Sequence, residues 1–169
     1  TVFPVYDGEE LTHLVGVNTD ITERKRAEQI LEYRLGFEER ISAASNRFIN
    51  CSPEEFDQRV HETLESIGEF VGAGRAYFFR FHDEQRLMSN THEWCAEGVE
   101  PQKQDLQNLS TNTFPWWMHK LKNHENILIP RVDDLPPEAE AEKETIKAQN
   151  AKSLIVLPMV SSGSLKGFI

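Results

Sequence analysis

The chain has 169 residues, a formal net charge of −10 and a hydrophobic content of 38%, with ten Phe, three Trp and three Tyr. This length allows one ordinary domain with an extension, and the composition is not that of a disordered chain. The acidic balance argues against a nucleic-acid or anionic-membrane surface, because both need clustered positive charge. We therefore expect no nucleic-acid partner.

Cysteine content and hydropathy give a second set of bounds. Cys51 and Cys95 are too few for a disulfide framework and fit a reducing compartment. No apolar run approaches the roughly 18 residues needed to cross a bilayer, so we expect no membrane contact by this chain. Thr1 is not a natural initiator and the final LKGFI stops inside an apolar strand pattern. We interpret the chain as a fragment of a longer protein.

The first 19 residues predict a β-hairpin. VFPVY and LTHLVGVNT are rich in β-forming residues, and Asp7-Gly8 between them is a strong turn signal. Two strands alone are marginally stable, so we expect them to belong to a larger sheet.

A long helix is predicted from Asp20 to Cys51, capped by Asp20 or Thr22. Its apolar residues follow a heptad-like seam that only Arg34 interrupts. The seam consists of Ile30, Phe37, Ile41, Ala44 and Phe48, and it ends at Cys51. This pattern favours a signalling helix that pairs with a second copy in a parallel homodimer. A single wide stripe facing one core is the alternative.

A second helix should begin at the capping box Ser52-Pro53-Glu54-Glu55. Its apolar positions recur at spacings of three and four, at Phe56, Val60, Leu64, Ile67 and Val71. Two strands follow, at 75–82 and 86–95, and should pair as a hairpin. Strict alternation would place four residues of the second strand on one face, namely Met88, Asn90, His92 and Trp94.

The remaining chain alternates polar and apolar stretches. Residues 96–113 predict a long loop, 114–123 a short helix that starts at a proline, and NILIP a strand. The helix predicted after Asp133 has few apolar residues on any one face, so we expect it to lie on the surface. We also expect the acidic run at 138–144 to be solvated. SLIVLPMV, 153–160, predicts a central strand. The order of elements indicates an α+β domain with a mainly antiparallel sheet.

Two stretches resemble known families. VYDGEELTHLVGVNTDITERKRAE resembles the last hairpin and exit of a PAS domain, and its DITERK run reproduces the usual ending. The rest is similar to GAF domains of multidomain bacterial and archaeal sensor proteins of the histidine-kinase type. The stretches that carry this second resemblance are GAGRAYFFRF, HEWCAEGVEP, FPWWMHKLKN, IPRVDDLPPEAEAEKE and AKSLIVLPMVSSGSLKGFI.

The resemblance implies a domain plan. Residues 1–19 would end a PAS domain, 20–36 would be a signalling linker, and 37–169 would be a GAF domain. The implied fold is an α+β GAF-like sheet with helices on both faces, truncated before its last strand and C-terminal helix. Such modules are cytoplasmic, dimerise through terminal helices and control an output domain in the same chain, here a histidine kinase or a diguanylate cyclase. The fragment itself would be regulatory, without catalytic residues.

Five aromatic residues are candidates for an apolar ligand pocket: Phe79, His92, Trp94, Trp116 and Trp117. In GAF domains the ligand cavity lies between the sheet and the helices of the variable loops, where 96–123 would fall. Nothing in the sequence names the ligand. The same tryptophans could instead fill a core or form a dimer contact.

Other cofactors find less support in the sequence. His92 and Cys95 face opposite sides of a strand and cannot easily bind one metal ion, so we predict no metal site. The resemblance to GAF domains implies that a bilin would attach to a cysteine with a neighbouring histidine in the later helical region. Here that region, 114–150, contains no cysteine. The cyclic-nucleotide signature NKFDE is also absent. We therefore do not expect a bilin or a cyclic nucleotide, and the cofactor stays unknown.

These observations favour a sensory module without enzymatic activity. It would sense a small ligand or relay an upstream PAS signal through a dimeric helix to the output domain. One alternative is a dimerisation scaffold that binds no ligand. Another is a haem or redox sensor that uses Cys95 or His92.

Overall fold

The computed structural model describes residues 2–16, 19–49 and 51–169. The chain divides into two compact units, residues 1–43 and 44–169. Val17 and Asn18, the end of the predicted second strand, lie outside the described residues.

The first unit begins with the predicted hairpin. β1 (Val2–Asp7) pairs antiparallel with β2 (Glu10–Gly16), which confirms the hairpin; its turn residues are Gly8 and Glu9, one position later than the predicted Asp7-Gly8. Gly8 has a φ of 62°, a left-handed conformation that glycine adopts without a steric penalty.

The predicted long helix is α1 (Thr22–Phe48), a single helix of 27 residues. The Asp20 carboxylate accepts a hydrogen bond from the Thr22 backbone N–H at 2.9 Å, which identifies Asp20 as the cap. Hydrogen bonds from the Thr22 side chain and backbone lower the pKa of Asp20. No residue of α1 is buried. Within the described ranges, no helix combines the length and apolarity that crossing a membrane requires.

The second helix, α2 (Phe56–Val71), begins later than its capping box suggested. The Ser52 N–H and hydroxyl both donate to the Glu55 carboxylate, at 3.3 and 3.2 Å, so the box forms a turn that precedes the helix. α2 ends at Gly72, whose φ is 65°.

Five strands of the second unit form one antiparallel sheet. They are β3 (Arg75–His82), β4 (Leu87–Cys95), β5 (Leu109–Ser110), β8 (Pro158–Ser161) and β9 (Ser164–Phe168). Their spatial order is β5-β4-β3-β9-β8. This arrangement, with helices on both faces of the sheet, confirms the predicted α+β class.

The predicted central strand at 153–160 is in fact two strands. β7 (Leu154–Val156) pairs with β6 (Ile127–Ile129) in a separate ribbon, and β8 forms an edge of the main sheet. Pro158 has no N–H to continue a ladder. Leu157, just before it, instead exchanges backbone hydrogen bonds with Ile169, at 2.9 and 3.0 Å. The apolar run therefore changes partners between Val156, which pairs with Ile127, and Leu157, which continues the β8–β9 ladder.

Two hydrophobic cores occupy the two faces of the sheet. The smaller lies under α2 and consists of Val60, Leu64 and Trp94. The larger lies under α3 (Pro115–Lys122) and α4 (Glu140–Ala148). Its buried members include Phe79, Phe81, Met88, Leu106, Phe114, Trp117, Met118, Leu121, Ile146 and Phe168.

A β-bulge at Thr91 changes which face of the sheet β4 presents. Phe78 lies opposite His92, whereas its neighbour Phe79 lies opposite Asn90, so Thr91 has no partner on β3. The extra residue reverses the alternation. The bulge corrects the prediction that Met88, Asn90, His92 and Trp94 share one face. The first two lie on the face of the larger core, and the last two lie toward α2.

Candidate ligand cleft and its polar network

A cleft of about 460 Å³ opens beside the larger core. One wall comes from the segment before α3 and the other from the end of α4. Its lining residues are Gln102, Asp105, Leu106, Leu109, Ser110, Thr113, Phe114, Thr145, Ala148 and Gln149. Leu106 and Phe114 are buried, so the cleft has an apolar floor with amides and hydroxyls around it.

A hydrogen-bond chain connects the two walls behind the cleft. Arg75 Nη1 donates to the Tyr77 hydroxyl at 3.1 Å, and that hydroxyl donates to Gln149 Oε1 at 3.1 Å. Arg75 Nη1 also donates to Gln102 Oε1 at 2.9 Å. Burial raises the pKa of Tyr77, so its phenol stays protonated at neutral pH.

The polar loop that supplies Gln102 is anchored to the sheet. The Glu93 carboxylate accepts hydrogen bonds from the backbone N–H groups of Gln102 and Lys103. Both nitrogens lie 2.9 Å from Glu93 Oε2. Arg75 Nη2 donates to the carbonyl of Glu100 at 2.8 Å. Strands β3 and β4 therefore hold the loop in place by charge-assisted bonds.

Glu142 corrects the expectation that the acidic run 138–144 is a solvated surface. Two short 3₁₀ turns precede α4, which begins only at Glu140. Glu142 is 1% exposed, and its Oε1 accepts a hydrogen bond from the Trp117 backbone N–H at 3.0 Å. The spacing of Ala139, Glu142 and Ile146 along the buried side of this segment was the available signal, because a helix places i, i+3 and i+7 on one face.

Several buried polar atoms near this core have no hydrogen-bond partner among the described residues. They are Glu142 Oε2, Trp117 Nε1, and both amide atoms of Asn90, which is 0% exposed. A buried unsatisfied polar group costs roughly 1–3 kcal/mol, so such groups are uncommon in folded proteins. These atoms are therefore exceptions to the usual pairing of buried polar groups.

The structure divides the five predicted pocket residues between two places. Phe79 and Trp117 lie in the larger core, where the rings of both face Phe168 at centroid distances of 4.7 and 5.9 Å. Trp116 is half-buried against the same core. Trp94 and His92 lie on the opposite face, toward α2. None of the five lines the cleft described above.

His92 contacts the start of α2. Its Nε2 lies 3.1 Å from Asp57 Oδ1, and its Nδ1 lies 3.0 Å from the Thr91 hydroxyl. The ring also packs edge-on against Phe78, with centroids 5.4 Å apart. In the described ranges, no group of three or more His, Cys, Asp or Glu residues is arranged to hold a metal ion.

Cys95 is a free, half-buried thiol. Burial, the largest cause, and the nearby Glu93 raise its pKa. A raised pKa keeps the group as the less reactive thiol, which argues against the redox alternative.

The residues most involved in the cleft were not singled out by the sequence. Gln102 and Gln149 lie in polar stretches with no periodicity, and they meet only through Arg75 and Tyr77. No local pattern reports such a contact.

Comparison with solved structures identifies the fold. The phycoerythrobilin-bound GAF domain of a cyanobacterial phytochrome superposes with a TM-score of 0.63 at 18% identity, covering 80% of this chain and 80% of that one. The chain has the fold of a GAF domain. A phycocyanobilin-bound GAF domain from a cyanobacterial phytochrome gives a TM-score of 0.63 at 19% identity, covering 78% of this chain and 76% of that one.

Sequence comparison finds a curated protein that is similar to this chain along nearly its whole length. It is 30% identical over 168 residues to the methanogenesis regulatory histidine kinase FilI of Methanothrix harundinacea (strain 6Ac). The match covers 96% of this chain but only 18% of that protein. No family model matches the chain.

The structural comparison also corrects the expectation about bilins. The prediction that a bilin is a disfavoured ligand is wrong, because GAF domains with bound phycoerythrobilin and phycocyanobilin are among the structures that share this fold. Residues 114–150 do lack a cysteine for covalent attachment. A missing cysteine removes one covalent bond, but it does not by itself prevent the fold from binding a chromophore.

Proposed function

We propose that this chain is a ligand-responsive regulatory segment of a longer sensor protein of the histidine-kinase type. The observation that carries the proposal is the cleft of about 460 Å³ in a unit with the GAF fold. Its volume lies within the range of about 300–1,000 Å³ that small-molecule sites occupy. The match to a regulatory histidine kinase along nearly the whole chain supports the placement in a kinase.

Polar groups that line the cleft support a small-molecule ligand. The amides of Gln102 and Gln149 and the hydroxyls of Ser110 and Thr113 line it. A ligand with both hydrogen-bond donors and acceptors would bond to them. The side chains of Leu106 and Phe114 would give such a ligand an apolar surface.

Bilins are the first ligand class to test, because the GAF domains of similar fold hold them. Their ring nitrogens and carbonyl oxygens would bond to the amides and hydroxyls of the lining, which include Gln102, Ser110, Thr113 and Gln149. A bilin supplies light absorption when it is bound. With no cysteine in 114–150, we expect any bilin here to be held without a covalent bond in that region.

Dimerisation through α1 would carry the signal. Ile30 and Ile41 of the predicted seam are 57% and 48% exposed, so these side chains have apolar surface for a second copy to cover. Ligand binding would shift the packing of the GAF-fold unit and alter the register or rotation of paired α1 helices. The output domain would read that change, provided that the dimer has two states with different helix contacts.

The test is native mass spectrometry of the purified 169-residue chain, before and after incubation with biliverdin. We expect added mass on the chain, or visible absorbance that elutes with it and is lost on denaturation. Bare protein mass in both samples, without absorbance, would defeat the ligand proposal. That result would favour the second candidate, a ligand-free dimerisation scaffold, which the exposed seam of α1 supports on its own.

A further inference from the structure

Two glutamine side chains face the cleft from opposite walls and are oriented by the same pair of residues. Gln102 lies in the loop before α3, and Gln149 follows α4. The carbonyl oxygen of each side-chain amide accepts a hydrogen bond, from Arg75 at 2.9 Å and from Tyr77 at 3.1 Å respectively. The orientation of an amide group decides whether it offers a ligand a donor or an acceptor.

The direction of this hydrogen-bond chain is fixed by chemistry. A guanidinium group can only donate, so the oxygens of Tyr77 and Gln102 must accept from Arg75. The Tyr77 hydroxyl has one proton, which is then left for Gln149 Oε1. Burial raises the pKa of the Tyr77 phenol, which keeps that proton in place at neutral pH.

The opposite orientation of either glutamine would cost a hydrogen bond. If the Gln102 amide were turned around, its NH₂ group would face the Arg75 guanidinium. The Gln149 amide is oriented by the Tyr77 proton, because turning it around would leave that O–H facing an NH₂ group without an acceptor. Both NH₂ groups are therefore left for the cleft, and neither donates to another of the described residues.

We propose that the cleft recognises its ligand through a neutral carbonyl oxygen, which the NH₂ groups of Gln102 and Gln149 bind while an apolar part rests on Leu106 and Phe114. This inference rests on the proposed ligand-sensing function. Asp105 is the one charged residue of the lining and is negative, so a neutral carbonyl fits better than a carboxylate. A cationic amine would meet the NH₂ donors of both glutamines, and its pairing with Asp105 is the competing outcome of the test.

The test compares two probes with the same carbon skeleton, acetophenone and 1-phenylethylamine, on the intact 169-residue chain. Heteronuclear NMR would follow the side-chain NH₂ signals of Gln102 and Gln149, together with the methyl signals of Leu106. We expect acetophenone to bind at least about tenfold more tightly than the amine, the ratio that one hydrogen bond of about 1.4 kcal/mol produces.

A matched pair of variants makes the test specific. Gln149→Glu replaces the donor by a carboxylate of the same size and should remove or reverse the preference for the ketone. Gln104→Glu makes the same charge change at an exposed residue outside the lining and should preserve it. Tyr77→Phe should also reduce the preference, because it releases the Gln149 amide to turn.

Each failure has a distinct signature. Equal binding of both probes with shifts at Leu106, or an identical preference in Gln149→Glu and Gln104→Glu, would overturn the carbonyl inference and leave the cleft as a site. If neither probe shifted any signal from the cleft, the proposed ligand-sensing function would fail and the inference with it.

Discussion

The carboxylate of Glu142 accepts a hydrogen bond from the backbone N–H of Trp117 across 3.0 Å, so a residue of α4 caps the first turn of α3. Trp117 is the third residue of α3, and N–H groups in the first turn have no partner within the helix. Phe114, at the N-cap position, provides no side-chain bond. The cap therefore comes from 25 residues further along the chain.

Replacing Glu142 should destabilise the fold much more than replacing its neighbour Glu144. Glu142→Ala would leave the Trp117 N–H buried without an acceptor, at a cost of roughly 1–3 kcal/mol in the free energy of unfolding. Glu144 is exposed on the same helix, so Glu144→Ala makes the same change in helix propensity without that loss. Urea denaturation of both variants measures the difference. Equal midpoints would show that the long-range cap contributes nothing.

Gly68→Ala should be destabilising even though alanine favours helices. A methyl group at Gly68 would overlap the six-membered ring of Trp94, which packs directly on the α2 backbone. We expect a net loss of about 1–3 kcal/mol, because overpacking outweighs the roughly 1 kcal/mol gained in helix propensity.

The control for this contact is a smaller aromatic residue at position 94. In a Trp94→Phe background, Gly68→Ala should cost less, which a double-mutant cycle from thermal or urea unfolding would detect. The same cost in both backgrounds would contradict the proposed overlap.

Charges introduced into the α1 seam should convert a dimer into a monomer. Ile30→Glu combined with Ile41→Glu would place like charges in the paired helices at two exposed apolar positions. Gln29→Glu with Ser42→Glu adds the same charge at exposed neighbours outside the seam and should leave the dimer intact. Size-exclusion chromatography with light scattering gives the mass. A monomer before any substitution would rule out the seam as an interface.

Tyr77 should titrate at a higher pH than an ordinary tyrosine. Burial raises its pKa, and hydrogen bonding and charge from Arg75 offset only part of that rise. Its contribution to stability is therefore complete below about pH 10, the unfolded value, and is lost as the pH rises through the folded pKa. Absorbance at alkaline pH, compared between the native chain and Tyr77→Phe, isolates this phenol. A difference spectrum with an ordinary midpoint would contradict its buried position in the chain of bonds.

Local patterns predicted the elements of this fold well. Asp7-Gly8 predicted the hairpin, and the spacing of Val60 and Leu64 predicted the buried face of α2. Each of these signals lies within a few residues of the structure that it specifies. The GAF fold followed from stretches of sequence that resemble that family, and the superposed structures confirmed it.

The site was harder to predict because its residues are distant in sequence. Gln102 and Gln149 share a cleft only because the loop before α3 and the end of α4 both reach the Arg75–Tyr77 pair. Thr91 offers no local sign that it forms a bulge, yet the bulge separates His92 and Trp94 from Phe79 and Trp117. Residue type alone suggests aromatic side chains as pocket candidates. It does not show which face of the sheet each side chain occupies after a bulge.

The sequence by itself determined the helices, the hairpins and the class of fold, because helical and strand periodicity are properties of neighbouring residues. Only the tertiary structure decided that Glu142 is buried, that the apolar run 153–160 changes sheets between Val156 and Leu157, and that Gln102 and Gln149 line one cleft. These outcomes depend on contacts between distant segments. In each case a polar or backbone group takes the partner that the packed elements bring within hydrogen-bonding distance.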